Sequence, residues 1–251
     1  SASSRVRAVV VHYGPEALVR ECVRSLGDFA PGVEVVVVDH GEEPLAARWE
    51  GAGSTGVAVV RPGTNAGYGS GCNAGAAGCA RELLLFLNND IRLTGGAVEA
   101  LVSALDAEPD ASISGPRLVD GKGRPDRAVH RLPSPWRLLL ENVPFGRLIP
   151  FVPALEGNNT VRQPRRRSSV EAVLGAAFLV RRKDFEEAGG FDTAFFHFAE
   201  EDDLYRRIQD RGGRILFIPE ARIVHEGSGA SECFPIETLD QWKANGFLRY
   251  A

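Results

Sequence analysis

The sequence predicts a single α/β domain with a mostly parallel, Rossmann-like central sheet flanked by helices. Three observations support this class. The chain has 251 residues, which suits one domain of this kind. Its composition, 44% hydrophobic and 25% charged, is that of an ordinary globular protein. In the first ninety residues, runs that are apolar on both faces alternate with helical periodicity, and this alternation is typical of parallel sheets covered by helices.

The first half contains the more regular elements. Strands are predicted at residues 6–11, 33–38, 57–60 and 83–87, and helices at residues 16–26 and 74–83. The carboxyl ends of parallel strands meet at one edge of a sheet, where ligands bind in such folds. We therefore expect residues 12–14, Asp39, the loop after Val60 and residues 88–90 to lie on one rim.

The second half is predicted to be less regular. Helices are expected at residues 95–105, 183–188 and 202–211, strands at residues 172–180 and 215–218 with a strand-like run at 221–224, and a loop or hairpin at residues 117–131. A proline-containing insertion at residues 132–167 carries apolar runs and ends in three arginines. It is interpreted as a lid over a lipid-linked acceptor or a membrane contact, or else as a packed irregular subdomain or dimer contact.

Composition also excludes several classes of function. The formal net charge of −4 and a pI near 5.8 argue against a general electrostatic grip on nucleic acid. No apolar run approaches the roughly 18 residues that a membrane-spanning helix needs, and no signal peptide is visible. Four cysteines without CxxC spacing predict reduced thiols rather than a zinc site or a disulfide framework. The expected location is the cytoplasm.

A glycine-rich segment, residues 65–75, is the first candidate binding element. It contains Asn65, Gly67, Tyr68 and Asn73. Glycine permits close backbone approach to a ligand, and a helix start offers free N–H groups to an anion. The segment also fits a loose dinucleotide fingerprint, but residues 61–68 separate it from the preceding strand, which that fingerprint does not allow. A purely structural glycine-rich turn is the alternative.

Two clusters of polar residues and one histidine are the candidates for a role in catalysis or metal binding. Asn88, Asn89 and Asp90 follow a buried strand, where they either hold Mg²⁺ or Mn²⁺ beside a diphosphate or form an Asx turn. The acidic run at residues 200–203 follows an aromatic segment. It either supplies a base for an incoming hydroxyl or forms a solvated helix N-terminus. His225 follows the strand-like run and is either structural or a third metal ligand.

The order of these motifs resembles a known family. It runs from residues 6–13 and 35–39 through 65–73, 87–90, 175–178 and 190–192 to 200–204 and 224–225. This order is similar to that of family 2 glycosyltransferases with the GT-A fold, most of all to bacterial rhamnosyltransferase-like members. The resemblance covers about residues 5–229, with residues 132–167 unmatched. It implies one domain with a nucleotide-sugar-binding half, residues 1–93, and an acceptor-binding half, residues 94–251.

The resemblance also implies a role for each matching residue. Glu201 corresponds to the catalytic base, which is usually aspartate, and Glu200 and Asp203 are its supporting acids. Asp90 corresponds to the last acid of the metal-binding motif, where Asn88 replaces the first acid, and His225 to a histidine that reaches the metal or diphosphate. Asp39 corresponds to the acid that contacts the nucleoside. The full set expected to bind the donor is His12, Tyr13, Gly14, Asp39, Asn65, Gly67, Tyr68, Asn73, Asn88, Asn89 and Gly175.

The implied reaction is inverting transfer of a sugar from a nucleotide-diphosphate donor to a hydroxyl, with a divalent metal, in cell-wall or surface polysaccharide synthesis. Rhamnose from a dTDP donor is the first expectation, and glucose or galactose from UDP fits the same loop chemistry. The acceptor is expected to be a glycan or a lipid-linked molecule, and a peripheral contact at the inner face of the plasma membrane is compatible with it. A non-catalytic sugar-nucleotide binding module and an NAD(P)-dependent oxidoreductase are the alternatives.

Overall fold

The structure is a computed structural model that describes residues 1–45, 56–134, 163–227 and 234–250. The predictions made for residues 135–162, most of the insertion, lie outside the described residues. In the described part of the chain, none of the helices is long and apolar enough to cross a membrane.

A nine-stranded mixed sheet forms the centre of the molecule and runs through both halves of the chain. The strands of the structure are β1 (Val6–His12), β2 (Glu34–Asp39), β3 (Val57–Val60), β4 (Leu83–Asn88), β5 (Ile91–Leu93), β6 (Ala111–Val119), β7 (Val129–His130), β8 (Ser168–Val170), β9 (Ala172–Val173), β10 (Ala177–Arg181) and β11 (Arg214–His225). The order in the sheet is β3-β2-β1-β4-β10-β6-β11-β5, with β8 paired to β11. Strands β7 and β9 form a separate small sheet.

The first four strands of this order are all parallel, as the sequence predicts. Strand β10 is antiparallel to both of its neighbours, β4 and β6. Strand β11 runs parallel to β6 and antiparallel to β5. The predicted fold class is therefore confirmed, and the ends of β1, β2, β4 and β11 meet along one edge of the sheet.

Six helices complete the described fold. They are α1 (Glu16–Phe29), α2 (Tyr68–Ala76), α3 (Ala97–Ala107), α4 (Arg182–Glu187), α5 (Glu200–Gln209) and α6 (Ile236–Tyr250), with a short 3-10 turn at Ser3–Arg5. Apolar side chains of α1 and α3 are buried in the core formed with the sheet. Helix α3 contacts β6 and β11, and α1 contacts β5, the strand that pairs with the end of β11.

Several predicted elements needed correction. The helix expected at residues 74–83 is α2, which begins six residues earlier and ends at Ala76, because the left-handed Gly78 turns the chain toward β4. The strand expected at 172–180 is divided into β9 and β10, and residues 174–176 between them reach the rim. The runs at 215–218 and 221–224 are one strand, β11. The serines, glycine and proline of β6 are not typical of a buried strand, so the sequence does not predict this strand. Helix α6 is not predicted either.

The glycines of α2 serve close packing of this helix on its neighbours. A Cβ at Gly75 would lie 2.3 Å from Cγ1 of Val9 on β1, and one at Gly69 would lie 2.9 Å from Cβ of Phe191. The structural interpretation of this glycine-rich segment therefore accounts for most of its glycines, and the dinucleotide fingerprint has no support from the geometry. Gly67, just before the helix, is the exception because it also borders the cavity described below.

Replacing Gly67 by Ala is expected to lower the free energy of unfolding by about 3 kcal/mol or more. Gly67 has φ 97° and ψ 174°, a region of backbone space that is essentially restricted to glycine. A Cβ there would also lie 2.0 Å from the carbonyl oxygen of Phe196. Gly78→Ala is the control, because Gly78 has φ 63° but open space around it, and should cost only about 1–2 kcal/mol. Equal losses in urea denaturation of the two variants would contradict the steric part of this account.

Candidate functional site

A cavity of about 590 Å³ opens at the edge where β1, β4 and β11 end. Residues from both halves of the chain line it. The predicted site residues among them are Tyr13, Asn65, Gly67, Tyr68, Asn88, Asn89, Asp90, Gly175, Glu200, Glu201 and His225. Tyr68 fixes one wall by donating its hydroxyl to the carbonyl oxygen of Gly175, 3.1 Å away.

Asp90 and His225 form the candidate metal position. Asp90 is 4% exposed, and its Oδ1 is buried without a hydrogen-bond partner. Its Oδ2 lies 3.5 Å from Nε2 of His225, whose Nδ1 lies 3.4 Å from a carboxylate oxygen of Asp126. Burial raises the pKa of Asp90. A buried carboxylate with a free oxygen beside a histidine is a donor set that fits a divalent cation.

Within the described residues, no group of three or more His, Cys, Asp or Glu side chains could hold a metal ion. A cation bound by Asp90 and His225 would therefore take further oxygen ligands from the bound substrate or from water, as Mg²⁺ commonly does. Asn88 lines the same cavity and could contribute only a neutral amide oxygen there.

The predicted donor-binding residues at the end of β1 have separate positions. Asn89 donates from Nδ2 to the carbonyl oxygen of Tyr13 at 2.8 Å, and the same nitrogen is 3.3 Å from Nδ1 of His12. His12 is 2% exposed and does not line the cavity, and neither does Gly14. Burial lowers the pKa of His12, so this ring is held neutral beneath the rim and supports it rather than facing a ligand.

Asp39 lies outside the cavity wall, and its contact with the nucleoside stays a prediction. It is 1% exposed and absent from the cavity wall. Its oxygens accept hydrogen bonds from the backbone N–H groups of Gly41 and Leu45 and from the Arg61 guanidinium, each at 2.9 Å. The chain itself therefore uses this carboxylate to hold the loop after β2. Its neighbour His40 does line the cavity and has a buried Nε2 without a partner.

Glu201 lies at the start of α5 and faces the cavity beside Gly175. A Cβ on Gly175 would lie 2.8 Å from Oε1 of Glu201, so a side chain at this position would have to displace the end of the Glu201 side chain. Burial raises the pKa of Glu201 well above its ordinary value, and the charges of Glu200 and Asp202 raise it further. Phe198 and Ala199, just before α5, both have left-handed backbone dihedrals, with φ of 71° and 69°. Such strain in non-glycine residues is typical of functional sites.

The acidic run is mostly buried, so the interpretation as a solvated helix N-terminus is wrong. Glu200 is 2% exposed, and its Oε2 has no hydrogen-bond partner. Asp202 is 6% exposed and pairs with Nε2 of His130 at 2.7 Å. Asp203 faces away from the cavity and pairs with Arg207 of the same helix. Asn73 also lies outside the cavity, because its amide exchanges two hydrogen bonds with the backbone of Phe191.

Two parts of the cavity wall come from residues that the sequence did not indicate. Arg127 and His130 come from the segment expected to be a loop or hairpin. Helix α6 and the residues near it supply aromatic side chains to the wall. The ring centroids of Phe234 and Tyr13 are 4.9 Å apart in a stacked arrangement, and those of Trp242 and Phe196 are 4.5 Å apart. These residues belong to segments far apart in the chain, and nothing in their spacing indicates that they line one cavity.

Comparisons with known proteins identify the kind of chain to which this site belongs. A family model described as glycosyl transferase family 2 matches residues 8–189, and a second one, described as the N-terminal domain of galactosyltransferase, matches residues 157–226. The chain is 28% identical over 207 residues to an N-acetylglucosaminyl-diphospho-decaprenol L-rhamnosyltransferase of Mycobacterium tuberculosis. It is 26% identical over 209 residues to a pre-mycofactocin glycosyltransferase of the same species.

These alignments cover 77% and 81% of this chain but only 66% and 40% of the two relatives. Among solved structures, the fold is similar to GalNAc-T7 crystallised with UDP, GalNAc and Mn²⁺, with a TM-score of 0.62, 16% identity and coverage of 88% of this chain and 43% of that one. It is also similar to TarS of S. aureus, with a TM-score of 0.57, 14% identity and coverage of 87% and 36%. At these identities the two structures support the fold alone.

Proposed function

The chain belongs to glycosyl transferase family 2, and from this premise we propose that it transfers a sugar from a nucleotide-diphosphate donor to a hydroxyl acceptor with inversion. The observation that carries the proposal is the joint presence of Asp90 and Glu201 in one cavity. Asp90 is suited to hold a cation beside the charged diphosphate, and Glu201 is suited to accept the proton of the acceptor hydroxyl. In this proposal residues 1–93 bind the nucleotide sugar and residues 94–251 the acceptor.

Glu201 is the proposed base. Its carboxylate accepts the proton of the acceptor hydroxyl while that oxygen attacks the anomeric carbon from the face opposite the diphosphate. One displacement forms the new glycosidic bond, breaks the bond to the diphosphate and inverts the carbon. Burial, and then the charges of Glu200 and Asp202, raise the pKa of Glu201, which makes its carboxylate a stronger proton acceptor than an exposed glutamate.

Asp90 and His225 are the proposed ligands of a divalent cation, with Asp126 orienting the histidine ring through Nδ1. When bound, the cation neutralises charge on the departing diphosphate. With Asn88 in place of an acid, the protein supplies one negative charge fewer to this position. Asn65, Gly67, Tyr68 and Gly175 border the same cavity and are proposed to enclose the donor.

The donor and acceptor are proposed from the activity of one relative. That relative transfers L-rhamnose to a decaprenol-linked N-acetylglucosaminyl diphosphate. We infer a dTDP-rhamnose donor, with UDP-linked hexoses as the alternative, and a lipid-linked acceptor for cell-wall or surface polysaccharide. Such an acceptor would bring the chain to the inner face of the plasma membrane.

Titration calorimetry with dTDP-rhamnose, UDP-glucose and NADH, each with and without Mn²⁺, tests the donor class. We expect metal-dependent binding of one sugar nucleotide, followed by turnover with an acceptor and a product of inverted anomeric configuration in NMR spectra. Donor binding without turnover on any acceptor tested would favour a binding module. Binding of NADH alone would overturn the proposal.

The raised pKa of Glu201 predicts the pH dependence of transfer. A glutamate with its ordinary pKa of 4.5 would be ionised throughout the mildly acidic range. Because the pKa of Glu201 is well above that value, kcat/KM should fall as the pH drops through the raised pKa and remain high above it. Glu200→Gln removes the neighbouring charge that contributes to the shift, so the acidic limb should move to lower pH. A limb that stays in place in this variant would contradict the assignment of the base.

A further inference from the structure

A second cavity, of about 560 Å³, lies outside the candidate active site and is strongly basic. We call it the arginine groove. Five of its lining side chains are arginines, and one is an acid: Arg117, Arg165, Arg166, Arg167, Arg222 and Glu220. The whole chain has a net charge of −4, so positive charge is concentrated on this part of the surface.

Within the described residues, three of these guanidinium groups have no partner of their own. Arg167 pairs with Glu220 at 3.0 Å. Arg117 is held in place by the carbonyl oxygens of Pro219 and Pro164, at 3.3 and 3.2 Å. The exposed side chains of Arg165, Arg166 and Arg222 make no hydrogen bond or ion pair within the described part of the chain. No described residue therefore competes with an external anion for these three side chains.

The arginine groove lies next to the active-site cavity. One short stretch of chain after β6 borders both: Gly123 and Pro125 line the groove, Asp126 contacts His225, and Arg127 lines the cavity. A surface that engages the groove would consequently lie close to the cavity mouth. Any acceptor that emerges from that surface would have a short path to Glu201.

We propose that the arginine groove docks the protein on an anionic phospholipid bilayer. Guanidinium groups form bidentate, charge-assisted hydrogen bonds with phosphate, and clustered arginines are drawn to the negative surface potential of such membranes. The proposal rests on the proposed function only for its purpose, which is to bring the cavity to a lipid-linked acceptor. Membrane binding itself is independent of sugar transfer and can be measured without it.

The test is co-sedimentation of the purified chain with vesicles of phosphatidylcholine alone or with one third phosphatidylglycerol, at low and at high salt. We expect binding only to the anionic vesicles, weakened by salt. The variant R165Q/R166Q/R222Q should bind about a hundredfold more weakly, from about fivefold for each arginine lost. The control R20Q/R24Q/R211Q removes the same charge from exposed positions outside the groove, two on α1 and one in the turn after α5, and should bind like the wild type.

A second variant changes binding in the opposite direction. Glu220→Gln releases Arg167 from its ion pair and should strengthen binding to the anionic vesicles. Matching thermal unfolding of all variants by circular dichroism shows that they are folded. Equal losses in the groove variant and the control, or equal binding to both vesicle types, would overturn the proposal.

Two further experiments distinguish a bilayer from other anionic ligands of the groove. Displacement from vesicles by inorganic phosphate at constant ionic strength would assign the groove to free phosphate instead. Retention on heparin or RNA without vesicle binding would assign it to a soluble polyanion. Transfer to a water-soluble acceptor analogue should be unchanged in the groove variant. If the wild type binds vesicles but transfers no sugar, the proposed function fails and the docking surface stands.

Discussion

Replacing Glu201 by Gln is expected to lower kcat by a factor of about 10²–10⁴, the usual contribution of a general base. The amide occupies nearly the same volume beside Gly175 but cannot accept the acceptor's proton. Donor affinity should change little, because the proposed donor contacts lie with Asp90, Tyr68 and Asn65. The measurements are kcat by product analysis and the donor Kd by calorimetry.

Stability provides the control for this variant. The folded-state pKa of Glu201 lies above its ordinary value, so ionised Glu201 costs folding free energy at neutral pH. Glutamine removes that cost, and the variant should be at least as stable as the wild type at pH 7. Asp203→Asn is the matched variant on the same helix, because Asp203 pairs with Arg207 and does not line the cavity. If E201Q kept full activity, or if D203N lost as much, the assignment of Glu201 would be wrong.

Asp90→Asn is expected to remove the metal dependence of donor binding and to lower kcat/KM by about a hundredfold or more. The change deletes the one buried carboxylate of the candidate metal position. Burial already raises the pKa of Asp90, so a neutral amide should not destabilise the fold. Calorimetry of the donor with and without Mn²⁺ measures the effect.

Two further variants test the same candidate metal position. Asp126→Asn leaves the Asp90 carboxylate intact and weakens only the support of His225, so the loss should be about tenfold. Asn88→Asp adds a carboxylate to the cavity and should tighten metal-dependent donor binding. A donor affinity that responds to Mn²⁺ equally in wild type and D90N would exclude Asp90 as a ligand. A loss in D126N as large as that in D90N would show that the two acids do not have the assigned ranking.

The parallel half of the fold could be predicted because its signals are local. Strands β1, β2 and β4 are continuous apolar runs, and each is buried on both faces. The divided strand at residues 172–180 and the buried strand β6 could not be predicted in the same way. In both cases the decisive interaction is with neighbours far away in the chain, such as the hydrogen bond from Asn88 N to the carbonyl oxygen of Ala176.

The candidate site also contains residues whose positions could be predicted from local patterns and residues whose positions could not. Asp90 and Glu201 follow recognisable local patterns, and both lie on the cavity wall. Asp39, Asn73 and His12 belong to other motifs of the same series, and their hydrogen bonds go to the protein itself. A motif records which residue types occur together in the chain. It carries no information on whether a given polar atom is already paired inside the fold.

By itself, the sequence determined the α/β class, the resemblance to family 2 glycosyltransferases and the two acids at the centre of the proposed chemistry, because each rests on short runs or motifs whose residues are neighbours in the chain. Only the tertiary structure decided that His130 pairs with Asp202, that Trp242 and Phe234 line the cavity, and that Arg222 joins Arg165 and Arg166 in one groove. Those side chains are separated by tens of residues, and their proximity is created by the order of strands in the sheet and by the packing of α6. No periodicity or spacing along the chain encodes it.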